Sequence, residues 1–385
     1  LNLRGTNHQL VKIQNKSLIL KLIYERGSIS RQEISQITRL TPATVTNITG
    51  ELLEEGFIRE LPVREEKTGV GRKAIPLVIN SSSAYVIAID VGPKIIRIAL
   101  SDLLGHLSNI ESFSYNPQEI QKALEEACER VSLMKNGKRI LGVGIGIPGL
   151  IDAVHGKVKF SPNLGWKDLD IASPLSERLN LPVTLENNVK VMALGEKWFG
   201  KGKSVDNFAL VYVSTGIGSG IIIDGRIYKG AHNGAGEIGH TVVSEDGEIC
   251  NCGKRGCLET FASARAIVKS FKGIPSDEDS YINEIRTAIE RKDSKALEIV
   301  ERAGYYLGIG ISNLVNMFDP EMLILSGRVI RLGDALLEPM KKSIEDRLFS
   351  TNRIRIEISE LGREIGLYGA SALALQKFFY EKEEL

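Results

Sequence analysis

The sequence predicts a mixed α/β chain with a short helical segment in front of a larger α/β body. Residues 1–80 are poor in glycine and carry apolar residues at helical spacing. From about residue 81, short β-rich runs alternate with helical stretches and Gly-rich turns. Charge divides at the same place. Residues 1–80 hold twelve basic against eight acidic residues, a head of +4, and the remainder carries −3. The total of +1 conceals this split.

A chain of 385 residues suggests two or three domains, at roughly 100–200 residues each. Hydrophobic residues at 43% and charged residues at 25% are ordinary globular values. They exclude a disordered tail, a collagenous repeat and a disulfide scaffold. No apolar run approaches the roughly 18 residues that span a bilayer, so no membrane partner is expected. The richest run, Ile140 to Ile151, is broken by Gly142, Gly144, Gly146, Pro148 and Gly149. The opening LNLRGTNHQL lacks the charged-then-apolar pattern of a secretion signal. A reducing, cytoplasmic compartment is therefore expected, in which clustered cysteines read as metal ligands before disulfides.

The front segment resolves into successive elements. Leu18, Ile19, Leu22 and Ile23 form one helical stripe, stopped by Gly27. Ser30-Arg31-Gln32-Glu33 is a capping box, in which serine and glutamate each satisfy an orphan backbone donor. The helix it opens should turn Ile34 and Ile37 inward. Thr41-Pro42 begins a third helix, with threonine as cap and proline in the first turn. Val45, Ile48, Leu52 and Leu53 should face in, and Gly56 should end it. Two strand-like pieces follow, Phe57–Val63 and Ala74–Ile79, around a Gly69–Lys73 tip. Three helices and a basic-tipped hairpin describe a winged helix-turn-helix. Its third helix would enter the major groove of DNA, with Thr41, Thr44, Thr46 and Asn47 meeting base edges or phosphates. Arg72 and Lys73 would follow the backbone or minor groove, and Arg31 joins the candidate contacts. A three-helix protein-interaction domain with a solvated polar face is the alternative.

In the body, strands are expected at Val86–Asp90, Ile95–Leu100, Ile140–Ile147, Phe208–Val213 and Met322–Leu325. Helices are expected at Glu119–Met134 and Ser294–Met317. The run Ile87–Leu100 loosely echoes Leu210–Ile223, as a duplicated fold would. Gly144-Ile-Gly146-Ile-Pro-Gly149 matches a dinucleotide fingerprint in letters, but Pro148 occupies the turn from which a helix should open. Gly195 to Lys201 begins like a P-loop, yet Gly202 stands where the metal-binding hydroxyl must be. Ser214-Thr215-Gly216-Ile217-Gly218-Ser219-Gly220 could converge amide donors on an anion, and equally suits a tight hairpin.

The sharpest chemical signal is Cys250, Cys252 and Cys257 with His240. Three thiolates within eight residues and one imidazole make the closed Cys₃His composition of structural zinc. A redox pair would use C-x-x-C, which this run lacks.

Together these motifs resemble the ROK family (repressor, open reading frame, kinase), in its regulator branch with a winged helix in front. Cys250 through Glu259 resembles the family's CxCGxxGCxE zinc signature, with His240 as fourth ligand. Gly236-Glu237-Ile238-Gly239-His240 is similar to its sugar motif, Gly146–Gly149 to its sugar-side turn, and Thr215–Gly220 to its second phosphate loop. The resemblance implies an actin-like (ribonuclease H-like) two-lobed sugar-kinase fold behind the head. The head would be 1–80 and the sensor 81–385, with lobes near 81–187 plus the C-terminal helix, and 188–363. It further implies a homodimer or dimer of dimers, a mono- or oligosaccharide effector and operator DNA as partners.

The departures from the family are concentrated on one side. Family kinases carry Glu-Asn-Asp, whose aspartate takes a proton from the sugar; here the run is Glu186-Asn187-Asn188. A carboxamide cannot serve as that base at neutral pH. The first phosphate loop, Asp-x-Gly-Gly-Thr in the family, reads Asp90-Val91-Gly92-Pro93-Lys94, and the usual Gly-Gly further on reads Gly327-Arg328. The sugar side keeps Gly149, Asn187, Glu237, His240 and Glu259, with Asn188 beside them. The expectation is a sugar-responsive, non-enzymatic transcription regulator, usually a repressor. The alternative is an active ATP-dependent sugar kinase carrying a DNA-binding head.

Overall fold

The computed structural model describes residues 8–62, 74–274, 276, 279–349 and 354–381. The head runs α1 (His8–Arg26), β1 (Ile29–Ser30), α2 (Arg31–Thr38), α3 (Pro42–Glu54), β2 (Ile58–Glu60) and β3 (Pro76–Ile79). Ser30 and Glu33 close the expected capping box, and the Thr41 hydroxyl accepts from the Thr44 amide to open α3. The three strands pair antiparallel in the order β1-β3-β2. The tip of the hairpin, with Arg72 and Lys73, lies outside the described residues.

Two expected core residues are exposed, and Leu53 is only partly buried. Leu18 is 44% exposed and Ile37 49% exposed. The inward face of α1 is set by Ile19, Leu20, Leu22 and Ile23, which leaves Leu18 on its outer edge. The two-turn helix α2 buries only Ile34, and the chain turns away at Arg39 in the left-handed region, φ 57°. About half of the Ile37 side chain is therefore left facing solvent.

The body contains two five-stranded sheets of the same pattern. The first comprises β4 (Tyr85–Val91), β5 (Ile95–Asp102), β6 (Leu107–Ser114), β7 (Ile140–Ile147) and β11 (Val183–Asn187). Its order is β6-β5-β4-β7-β11: an antiparallel meander, then two parallel strands. Helices α4 (Ile120–Lys135) and α5 (Ala172–Leu179) cover it. A small antiparallel sheet of β8 (Leu150–Asp152), β9 (Lys157–Ser161) and β10 (Trp166–Asp170) is inserted after β7. A strand rather than a helix therefore follows Gly149, so the literal dinucleotide fingerprint has no helix to work with.

After α6 (Asn188–Phe199), the second sheet repeats the plan with β12 (Phe208–Val213), β13 (Ile217–Ile223), β14 (Arg226–Ile227), β15 (Met322–Ser326) and β16 (Arg355–Ile358). The order is β14-β13-β12-β15-β16, again meander first and parallel strands after. The echo between Ile87–Leu100 and Leu210–Ile223 falls on the opening hairpins of the two sheets. Helices α7 (Glu259–Ala262), α8 (Ala264–Lys272), α9 (Asp279–Glu290), α10 (Ser294–Phe318) and α11 (Asp334–Glu345) build the second core, around residues such as Val211, Leu307, Leu323 and Met340.

Helix α12 (Ile365–Leu375) packs on β4 and β7 of the first sheet and against α6, which in turn packs on β13. This pair joins the sheets. Their crossing requires glycine, because a Cβ at Gly369 would lie 2.2 Å from the carbonyl oxygen of Val191. A π-helical turn, Gln376–Tyr380, carries the chain on to the head. There Phe379 and Tyr380 share one apolar cluster with Ile19, Ile23 and Phe57.

Candidate functional site: a cleft between two sheets

The opening hairpins of both sheets, and the turns after β7 and β15, end at one cleft of about 920 Å³. Ligands in open α/β sheets commonly sit at such carboxyl ends of strands. Gly149, Asn187, Asn188, Glu237, His240 and Glu259 all line it, so the chain brings the whole expected sugar set together.

Local chemistry explains how each is held. Gly149 turns at φ 121°, and a Cβ there would meet the Phe160 carbonyl oxygen at 2.5 Å. Asn187 caps α6: its Oδ1 accepts from the Val189 amide at 2.9 Å and the Lys190 amide at 3.2 Å. Its Nδ2 donates to the Gly149 carbonyl at 2.9 Å, tying that turn to the helix. Asn187 is therefore largely committed to the backbone, and Asn188, the first residue of α6, presents its side chain beside it. Glu259 lies mostly out of water, and this burial raises its carboxyl despite the nearby His240 and a 3.1 Å hydrogen bond from the Ile217 amide. That amide belongs to the glycine loop at Thr215–Gly220, so the loop is a hairpin turn partly occupied by the protein's own carboxylate.

His240, Cys250, Cys252 and Cys257 place four donor atoms within 4.8 Å of one another. Cys250 Sγ lies 3.6 Å from His240 Nδ1, and the Cys252 and Cys257 sulfurs are 3.6 Å apart. A tetrahedron with Zn–S bonds of about 2.3 Å has edges of roughly 3.8 Å. The donor set and its spacing therefore fit a divalent ion bound by sulfur and imidazole. Cys252 and His240 also line the cleft, so one loop serves both features.

Some residues around the cleft were not anticipated. Lys190 is almost fully buried, and its ammonium donates to the Asn233 carbonyl oxygen. Desolvation lowers its pKa, opposed by Glu186 and Glu237. The Asn233 side-chain amide donates to the Ile151 carbonyl at 2.9 Å, and Lys229 pairs with buried Glu186 at 2.8 Å. These three contacts pin the segment before Glu237 to β8, β11 and α6. A lysine inside an otherwise apolar helix, VKVMAL, was the available signal.

In the head, Thr46 and Asn47 are exposed on α3, Thr41 is exposed at its start, and Thr44 is half-buried. The Thr41 and Thr44 hydroxyls lie 2.9 Å apart. Arg31 is partly exposed and tied to the rest of the head, donating to Thr49 Oγ1 at 3.0 Å and to Glu60 at 2.8 Å.

Fold and cleft together define a two-lobed sugar-kinase-type body joined to a winged DNA-binding head. The ROK family model matches residues 86–377, and a model described as winged helix-turn-helix DNA-binding matches residues 14–59. The chain belongs to the ROK family. It is 36% identical to the xylose repressor of Caldicellulosiruptor bescii, over 96% of this chain and 97% of that one. With the DNA-binding transcriptional dual regulator NagC of Escherichia coli it shares 31% identity, over 95% and 93%. Among solved structures, a ROK family transcriptional regulator homologous to the E. coli MLC protein superposes with TM-score 0.83 at 28% identity, covering 96% and 97%. A Streptomyces griseus ROK glucokinase in complex with glucose and AMPPNP superposes with TM-score 0.68 at 28% identity. It covers 76% of this chain and 100% of its own. No helix among the described residues is long and apolar enough to cross a membrane.

Proposed function

We propose that this protein is a sugar-responsive, DNA-binding transcriptional repressor of carbohydrate-metabolism genes. The carrying observation is the match over 95–96% of the chain to relatives named as a xylose repressor and as a DNA-binding transcriptional dual regulator, winged head included. In this reading residues 1–80 bind operator DNA and residues 81–385 form the sensor, in the cytoplasm, as a homodimer or dimer of dimers. Thr41, Thr44, Thr46 and Asn47 would face the groove, with Arg31 behind them and Arg72 and Lys73 on the wing. The sugar would be read by Asn188, Glu237, Glu259 and the free edge of His240, with Gly149 and Asn187 shaping that end of the cleft.

Zinc, held by His240, Cys250, Cys252 and Cys257, would supply a structural cross-link. The cross-linked loop would then present His240 and Glu259 at a fixed spacing. Phosphoryl transfer would be lost, because Asn188 stands where a proton acceptor is needed and loss of such a base costs about 10²–10⁴-fold.

A thermal-shift screen over xylose, glucose and N-acetylated sugars tests the sensor, since a specific ligand stabilises by mass action. One of these sugars should raise the melting temperature and release a promoter fragment in a gel-shift assay. An ATP-coupled assay on the same panel should show no turnover. Robust turnover would instead establish the kinase reading, and absence of salt-dependent promoter binding would remove the regulator.

A further inference from the structure

The C-terminal end of α3 is held from outside the three-helix unit. The carbonyl oxygens of Glu55, Gly56 and Phe57 follow the helix that the proposed function places in the major groove. Arg139 Nη1 donates to the Glu55 oxygen at 3.1 Å. Asn80 Nδ2 donates to the Gly56 oxygen at 2.9 Å, and the Asn80 amide to the Phe57 oxygen at 2.8 Å. The Arg139 guanidinium also lies over the Phe57 ring, 4.3 Å from its centroid, while Phe379 meets the same ring edge-on. Helix C-termini leave carbonyls that attract cations. Here a residue distant in sequence supplies the cation.

Arg139 is itself anchored. Its carbonyl accepts from the Tyr85 amide at 2.9 Å, which joins it to the start of β4, and β7 begins at the next residue. Strand β7 spans eight residues, roughly 26 Å at about 3.3 Å per residue, and leads to the turn at Gly149 on the cleft. Its third residue abuts the π-helical turn: a Cβ at Gly142 would lie 2.3 Å from the Phe378 ring. Asn80 is fixed likewise, because the neighbouring Ser81 carbonyl accepts from the Leu103 amide at 3.1 Å. Helix α3 therefore ends on groups tied to the first sheet.

We propose that Arg139 is a positioning residue for DNA recognition: it clasps the end of α3 to the first sheet, so that the body sets the direction in which α3 faces the operator. This role rests on the regulator reading and its homodimer, and it gives the paired heads a fixed angle. Such a pair tolerates little change in half-site spacing, because each added base pair turns the second site by roughly 34–36° about the DNA axis. Without the Arg139 clasp the head keeps its α3 face but swings more freely, and it accepts spacings that the docked head rejects.

Fluorescence anisotropy of the full-length protein on a promoter-derived operator, with its half-sites moved apart one base pair at a time, tests this. The unmodified protein should prefer one spacing sharply. Arg139→Ala should reduce that preference roughly three- to tenfold, by gaining at the disfavoured spacings. Arg139→Lys keeps the charge without the flat stack on Phe57 and should fall between the two. Lys138→Ala removes a charge one residue away and should leave the spacing profile unchanged; an equal flattening in that variant would overturn the clasp in favour of simple charge. An unchanged profile in Arg139→Ala, an equal loss of affinity at every spacing, or an unmodified protein that binds all spacings alike would each overturn the proposal. A second measurement needs no DNA. The Glu55, Gly56 and Phe57 amides bond back to Glu51, Leu53 and Leu52, and their hydrogen exchange should be several-fold faster in Arg139→Ala. Absence of promoter binding by the unmodified protein would count against the regulator reading, while faster exchange in Arg139→Ala would still support the clasp and unchanged exchange would overturn it.

Discussion

Asp90 illustrates how one residue can be read from chemistry alone and still change meaning in its surroundings. Its position in a degenerate phosphate loop was visible in the sequence. Its packing was not: the carboxylate lies against Gly366 of α12, where an added Cβ would sit 2.3 Å from its carboxyl carbon. Burial pushes its pKa up to about 6, and Arg97 only partly offsets that. A raised carboxylate pKa means the folded state holds the proton more tightly than the unfolded chain. Its effect is therefore most favourable below the ordinary value near 4 and is lost as pH rises to about 6. Because Asp90 keeps some surface on the cleft, the loss should be on the order of 1–2 kcal/mol, below the full 1.4 kcal/mol per unit. Asp90→Asn should remove this step. Melting temperatures of the two proteins should converge near pH 4.5 and favour the variant at pH 7.5; a variant less stable at pH 7.5 would mean that the charge itself is needed.

At the scale of elements, the strands and long helices were legible because each has its own period and punctuation. Ile140–Ile147 and Phe208–Val213 end where the apolar runs end, and α10 starts one residue after the cap Asp293. The elements that were not legible depend on distant partners. The small sheet β8–β10 is short and mixed in polarity, and forms only through pairing with itself. The crossing of α6 and α12 was likewise hidden, since Gly195 and Gly369 are far apart in sequence and each looks like an unfavourable helix residue. In space they meet: a Cβ at Gly195 would approach the Gly369 amide nitrogen to 2.9 Å. Gly369→Ala should gain in helix propensity yet destabilise the protein by about 1–3 kcal/mol, because overpacking at a backbone contact outweighs it. Denaturant unfolding checks the sign, and a stabilised variant would mean that the two helices can separate without loss.

At the scale of the whole molecule, the same two helices connect the cleft with the head. Helix α6 begins at Asn187 and Asn188 beside the proposed sugar residues and ends at Trp198 and Phe199. Trp198 packs between Tyr24 of α1 and Tyr380, with ring centroids 5.3 and 5.0 Å away, and its carbonyl accepts from the Tyr24 hydroxyl at 3.0 Å. Helix α12 begins beside Asp90 and continues into Phe379, which meets Phe57 of the head edge-on at 5.0 Å. The described residues of the head thus share one core with the end of α12 and the turn after it, through which a shift in the α6–α12 pair would reach α1. If sugar binding biases that pair, sugar and operator must be coupled, and linkage makes the coupling reciprocal: the factor by which sugar weakens DNA equals the factor by which DNA weakens sugar. Coupling energies of this kind are typically about 1–3 kcal/mol, or roughly 5–150-fold. Trp198→Ala removes the aromatic contact while leaving the cleft residues and the α3 face in place. It should therefore preserve sugar affinity in the DNA-free protein and operator affinity in the sugar-free protein within a few fold, while reducing the coupling factor towards one. Fluorescence anisotropy of a labelled operator across a sugar series measures one side, and sugar titration of the preformed DNA complex measures the other. A Trp198→Ala protein with full coupling would place the transmission outside this seam. Unequal factors in the unmodified protein would show that a further equilibrium, such as subunit association, is linked to one of the two bindings.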